Sequence, residues 1–203
     1  MKTALLLPLA LAATFASGAA PATDCCPACS QALGQGAYSR ASLYQLDASF
    51  TDDGGRPVSL GSFRGRPVVL DMFFASCSNA CPLTVTDMLA VQRSLPTSQR
   101  GRVVFVLVSF DDQKDTPEAL ARYRAQRRLD GNWVLLHGDG QSVRELAALL
   151  GVKYKRSQDG AYAHSNLLTV LNAAGEIVHQ RIGLVGGLDQ VAGALVAAAP
   201  QAR

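Results

Sequence analysis

The sequence predicts an α/β fold, and three observations carry that expectation. Two near-continuous apolar runs, Pro67–Phe74 (PVVLDMFF) and Arg102–Phe110 (RVVFVLVSF), read as strands buried on both faces. Each run leads into a segment with a helix-start signal. Strand-like pairs around glycine-bearing turns stand at both ends of this region.

The elements follow in order. After a polar, glycine-containing lead (Ser30 to Ser39), Leu43 to Phe50 and Arg56 to Leu60 flank Thr51-Asp52-Asp53-Gly54-Gly55 and predict a hairpin. The first apolar run ends in a loop with Cys77 and Cys81. Pro82 suits the first turn of a helix reaching about Ser94, which Pro96 stops. After the second run, Thr116-Pro117 supplies an N-cap and an N1 proline for a helix through about Arg128. Trp133 to Leu136 predicts a short strand. Ser142-Val143-Arg144-Glu145 is a capping box for a helix that Gly151 ends. Asn166 to Leu171 and Glu176 to Ile182 form a second hairpin. Leu188, Val191, Ala192, Leu195 and Val196 give a closing helix.

This order is the thioredoxin-like plan with an N-terminal β-hairpin and an inserted strand–helix section. It puts Cys77 and Cys81 at the carboxyl end of a central strand, where open α/β sheets place their sites. A helix N-terminus beside Cys81 favours its thiolate. Fold alone does not name a function.

The 203 residues, 48% hydrophobic and 17% charged, suit one domain with a sizeable core. A net charge of +3, spread along the chain, gives no nucleic-acid footprint. The densest basic stretch (Arg122, Arg124, Arg127, Arg128) reads as the solvated face of a helix. Residues 1–22 read as a signal peptide: Lys2, an apolar run from Ala4 to about Phe15, then small residues through Ala22. The run is short for a membrane span, so export to the periplasm is expected, with an uncleaved anchor as the alternative. Residues 23–42 form a cysteine-containing lead, and 43–198 the folded domain.

Export bears on the five cysteines, because exported thiols tend to become disulfides unless they bind metal or are kept reduced. An odd number leaves at least one without an intrachain partner. Opposite Cys77 and Cys81, where thioredoxin-like reductases carry a proline, stands Ala161-Tyr162-Ala163-His164-Ser165, and no proline occurs between Pro117 and Pro200. Two thiolates and one imidazole make a soft donor set suited to copper, as Cu(I) or Cu(II). A closed structural zinc site has four protein ligands, and only three are found.

Phe74–Pro82 (FASCSNACP), Ser109–Pro117 (SFDDQKDTP) and Ala163–Leu171 (AHSNLLTVL) together resemble the signatures of the Sco/SenC family, in that family's order and spacing. The similarity runs from about Leu43 to Ala194. The resemblance implies a copper chaperone with Cys77, Cys81 and His164 as ligands, serving the CuA centre of cytochrome c oxidase. Its partner would be the oxidase's copper-bearing subunit or another copper chaperone. Asp111 and Asp115 match the family's acidic loop, which either supports the copper site or simply ends a strand and supports the Thr116 cap. Two departures stand out. Many members have aspartate before the histidine, where this chain has Ala163, which leaves open what holds the imidazole's other nitrogen. Asp24–Cys29 (DCCPAC) matches no general family feature. Cys25, Cys26 and Cys29 there could form a disulfide, an auxiliary metal site or an electron shuttle.

The rival enzymatic reading is a thiol–disulfide reductase, with Cys77 attacking and Cys81 resolving. A peroxidase fits less well, because Asp71 to Ser76 lacks the proline and threonine of a peroxiredoxin site. A copper sensor is a third class. His137 is expected at the surface, His179 in the hairpin strand and Trp133 in the core.

Overall fold

The computed structural model describes residues 38–158 and 162–199. The leader and Cys25, Cys26 and Cys29 lie outside them.

A seven-stranded sheet organises the chain: β1 (Phe50–Asp52), β2 (Pro57–Val58), β3 (Val68–Phe73), β4 (Val104–Ser109), β5 (Trp133–Gly138), β8 (Leu167–Leu171) and β9 (Ile177–Ile182), in the order β2-β1-β5-β4-β3-β8-β9. Strands β3, β4 and β5 run parallel; β1, β8 and β9 are antiparallel to their neighbours. A separate two-stranded ribbon pairs β6 (Tyr154–Arg156) with β7 (Tyr162–His164). The helices are α1 (Ala80–Ser94), the single turn α2 (Thr97–Arg100), α3 (Pro117–Arg127), α4 (Gly140–Leu150) and α5 (Leu188–Ala198).

Every residue of β3, β4 and β8 is buried, which is why their sequences show continuous apolar runs rather than alternation. Helices α1 and α5 pack together, with α5 over β8 and β9, and α3 packs on β5. Trp133 is buried and stacks on Phe105, with its indole N–H donating to Gln92 on α1.

The thioredoxin-like order holds, with β5 and α4 as the inserted section. Three local expectations are corrected, and one element is added. Leu43–Gln45 is a 3-10 turn capped by Ser42, so the first strand begins only at Phe50. Helix α4 is capped by Asp139 rather than Ser142: its carboxylate accepts from the backbone N–H of Gln141 and Ser142, both at 2.8 Å. Strand β5 continues through His137, which is half-buried, with its Nδ1 3.1 Å from the Asp115 carbonyl. The ribbon carrying β6 and β7 was not anticipated. As expected, Thr116 caps α3 and Gly151 ends α4 with φ 76°. In the first hairpin turn, Asp52 Oδ1 accepts from Gly54 and Arg56, each at 2.9 Å. No helix among the described residues is long and apolar enough to cross a membrane.

Candidate metal centre

Three elements converge at the carboxyl ends of β3 and β4. Strand β3 delivers Phe74 and the loop holding Cys77; α1 begins at Ala80 and carries Cys81 in its first turn; β7 ends at His164. The ligand atoms of Cys77, Cys81 and His164 all lie within 4.8 Å of one another. Cys81 Sγ is 3.6 Å from His164 Nε2, and the Cys81 backbone N–H points at Cys77 Sγ at 3.4 Å. A cleft of about 360 Å³ opens onto the group, lined in part by Phe74, Cys77, Asn79, Tyr162 and His164.

The thiols differ in character. Burial pushes the Cys77 thiol up, but it is outweighed by hydrogen bonding from Cys81, by both backbone and side chain, and from the N–H groups of Asn79 and Ala80. The thiol therefore sits below its ordinary range. Cys77 is half-buried at the cleft wall. Cys81 is 1% exposed, and burial, reinforced by the side chains of Cys77 and Asp71, holds its thiol far above the ordinary range. So the helix start favours the Cys77 thiolate, not that of Cys81 as the sequence suggested, because the free N–H groups of the first turn point at Cys77.

His164 is kept neutral by burial, against a smaller opposing contribution from its hydrogen bond to Ser165. Its Nδ1 lies 3.2 Å from the Ser165 carbonyl. A carbonyl only accepts, so Nδ1 carries the proton and Nε2 turns its lone pair toward the sulfurs. The neighbouring backbone thus fills the role left open by Ala163.

Neither acidic-loop aspartate appears among His164's partners. Asp115, 3% exposed, accepts from the Ala75 N–H at 2.7 Å and the Ser109 hydroxyl at 2.5 Å, tying the end of β4 to the cysteine loop. Burial leads in raising its carboxyl, and those two hydrogen bonds oppose it. Asp111 accepts from the N–H groups of Gln113 and Lys114, closing its own turn.

Two features escaped sequence reasoning. A set of rings encloses His164: Phe110 at 5.2 Å and Phe74 at 6.1 Å between centroids, with Tyr162 against Phe74 and Tyr154 stacked on Phe110. The available signal was an aromatic residue closing each apolar run. The other is Asp71, buried inside β3, whose carboxyl desolvation pushes up to about 8. A lone acid within PVVLDMFF was its signal.

The model of the SCO1/SenC family matches residues 37–192. The chain belongs to the SCO1/SenC family. The SCO1 protein homolog of Bacillus subtilis is 31% identical over 106 residues, 52% of this chain and 54% of that one. The chain spans less than two thirds of the length of the curated relatives it matches. Among solved structures, copper-bound ScoI of Bradyrhizobium japonicum aligns with TM-score 0.63 and 23% identity over 74% of this chain and 96% of that one. BsSco, a member of the Sco family of cytochrome c oxidase assembly proteins, aligns with TM-score 0.66 and 23% identity over 77% of this chain and 94% of that one. At such identities the structures speak for the fold, which is the thioredoxin-like fold of this SCO1/SenC chain.

Proposed function

We propose that this SCO1/SenC protein binds copper through Cys77, Cys81 and His164 and delivers it to the CuA centre of cytochrome c oxidase. The observation that carries the reading is the convergence of two sulfurs and one imidazole nitrogen within 4.8 Å beside an open cleft. Thiolates select Cu(I), and imidazole also accepts Cu(II). The copper bound by a Sco relative and the oxidase-assembly role of another support it. A three-donor site at a cleft suits stepwise exchange. As each bond to Cys81, Cys77 or His164 breaks, one to an acceptor sulfur or nitrogen forms. Protons shed by acceptor thiols are balanced by those the freed thiolates take up, and the copper keeps its oxidation state. The N-terminal pattern favours export, hence the periplasm as the working compartment.

The test is an anaerobic Cu(I) competition titration of the reduced protein beside His164→Ala and a variant with serine at Cys25, Cys26 and Cys29. One tight equivalent, weakened by His164→Ala and kept in the triple variant, is expected. Binding indifferent to His164 overturns the site.

The lowered thiol of Cys77 favours a second reading, a thiol–disulfide reductase that keeps the acceptor's cysteines reduced. Cys77 would attack the acceptor disulfide, and Cys81 would then displace the acceptor thiolate. Reduction of a CuA-domain disulfide by the copper-free dithiol would support it.

A further inference from the structure

Two unlike flanks stand at the end of the sheet where β3 runs into the cysteine loop. On one side, Ile182 and Val185 are the most exposed large apolar side chains among the described residues, at 81% and 93%, and Leu83 on α1 is 55% exposed. They are not scattered. Ile182 pairs with Leu167, and the Gly183 N–H donates to the Asn166 carbonyl at 2.9 Å, two residues beyond His164. Arg181 ties this turn to α1, donating to Asp87 at 2.7 Å and to the Gly186 carbonyl at 3.3 Å. Leu83 stands one helical turn before Asp87 on the same face, toward Cys81. Gly183, Gly186 and Gly187 have φ of 86°, 73° and 74°, so the turn's shape is set by glycine conformations. The apolar groups are thus presented on a fixed frame. On the other side, the His164 ribbon and the residue just before it expose Lys153, Lys155 and Arg156, and the described residues of this stretch include no acid.

We infer that these two flanks form the docking surface for the copper acceptor: a protein surface with an apolar centre and carboxylates placed to meet the ribbon's cations. The inference rests on the delivery reading above. Clustered exposed apolar side chains mark interaction sites, and complementary charge steers encounter and fixes orientation. The acceptor must bring its own donors into the cleft, which opens at this same end of the sheet. A second copy of this chain would bring like charges to the same end, and a lipid surface offers no soft donor.

The test is anaerobic, stopped-flow transfer of Cu(I) from the loaded protein to the metal-free soluble CuA domain of cytochrome c oxidase, over a range of salt. The combined change Leu83→Ser, Ile182→Ser and Val185→Ser is expected to slow transfer about tenfold. The pair Lys153→Glu and Lys155→Glu is expected to slow it similarly at low salt and to abolish its salt dependence. Both variants should lose Cu(I) to a small chelator, bathocuproine disulfonate, at the wild-type rate, which shows the site and fold intact. Wild-type protein that passes no copper overturns the delivery reading and this surface with it. Transfer by wild type at a rate the substitutions leave unchanged overturns the surface alone. So does unchanged transfer combined with loss of binding to phosphatidylglycerol vesicles, which would assign the flanks to a membrane.

Discussion

Cys81 Sγ and His164 Nε2 lie 3.6 Å apart, although 83 positions separate them in the chain. The contact joins the buried first turn of α1 to the end of the ribbon. His164→Ala removes the only nitrogen donor of the group and leaves two sulfurs. Affinity for Cu(I) should fall by at least about 100-fold, because losing a mere supporting partner of a ligand already costs roughly 10–100-fold. Competition titration reads this directly, and an unchanged affinity would remove His164 from the site.

The two thiols should be separable by reactivity. Cys77 is half-buried with a lowered thiol, and Cys81 is buried with a raised one. In copper-free reduced protein at neutral pH, iodoacetamide should modify Cys77 at least about tenfold faster than Cys81. Peptide mass spectrometry over a time course gives both rates. Equal rates would contradict the assigned environments.

Copper affinity should fall as pH falls. Binding as thiolates releases the proton of Cys81, whose thiol stays protonated at neutral pH, and each unit of acidification opposes that release. Titrations between pH 6 and 8 should show roughly a tenfold loss per unit for each proton released. A flat profile would mean that Cys81 does not bind as thiolate.

Asp115 should matter for stability before it matters for copper. Asp115→Ala strands the Ala75 N–H and the Ser109 hydroxyl in a buried setting, at a cost of about 2–4 kcal/mol. Urea unfolding of the copper-free protein measures it. A loss below about 0.5 kcal/mol would show that these bonds are replaced.

Asp71 gives a pH dependence of known sign. Burial pushes its carboxyl up to about 8 in the fold, against an ordinary value of 3.8. Between these values the folded state holds the extra proton, so this group's contribution to stability falls as pH rises from about 4 to about 8, then levels. Asp71→Asn should remove that slope and raise stability at pH 8 by about 1–4 kcal/mol. Unfolding curves at pH 5 and pH 8 decide it; a variant as pH-sensitive as wild type in this window refutes the assignment.

The frame of the molecule was legible because burial on both faces writes itself as unbroken apolar runs. PVVLDMFF and RVVFVLVSF became β3 and β4, and Thr116-Pro117 opened α3. The cysteines and histidine were legible as residue types, and the structure brings all three together. The ribbon was not, since Tyr154-Lys155-Arg156 alternates no apolar face and pairs only with β7. Asp139 was overlooked because Ser142 is an equally good cap three residues on, and only the backbone path chooses between them. The thiolate was expected at Cys81 for a similar reason. A helix start was foreseen, but which sulfur its N–H groups would face depends on the loop from Ser76 to Asn79.

The ribbon belongs to neither edge of the main sheet, and aromatic stacking on Phe110 and Phe74 contributes to its seating. Elements outside the main hydrogen-bonded network can open at lower free energy than the core they rest on. One of the three proposed ligands therefore rides on a unit that can open by itself, while the two sulfurs belong to the cooperative body of the protein. An occupant bridging the two would penalise that partial opening selectively. Amide exchange at Tyr154–Arg156 and Tyr162–His164 would then report the site's occupancy, slowing on copper loading more than in β3 and β4, so that the backbone of one small ribbon serves as a built-in gauge of bound metal.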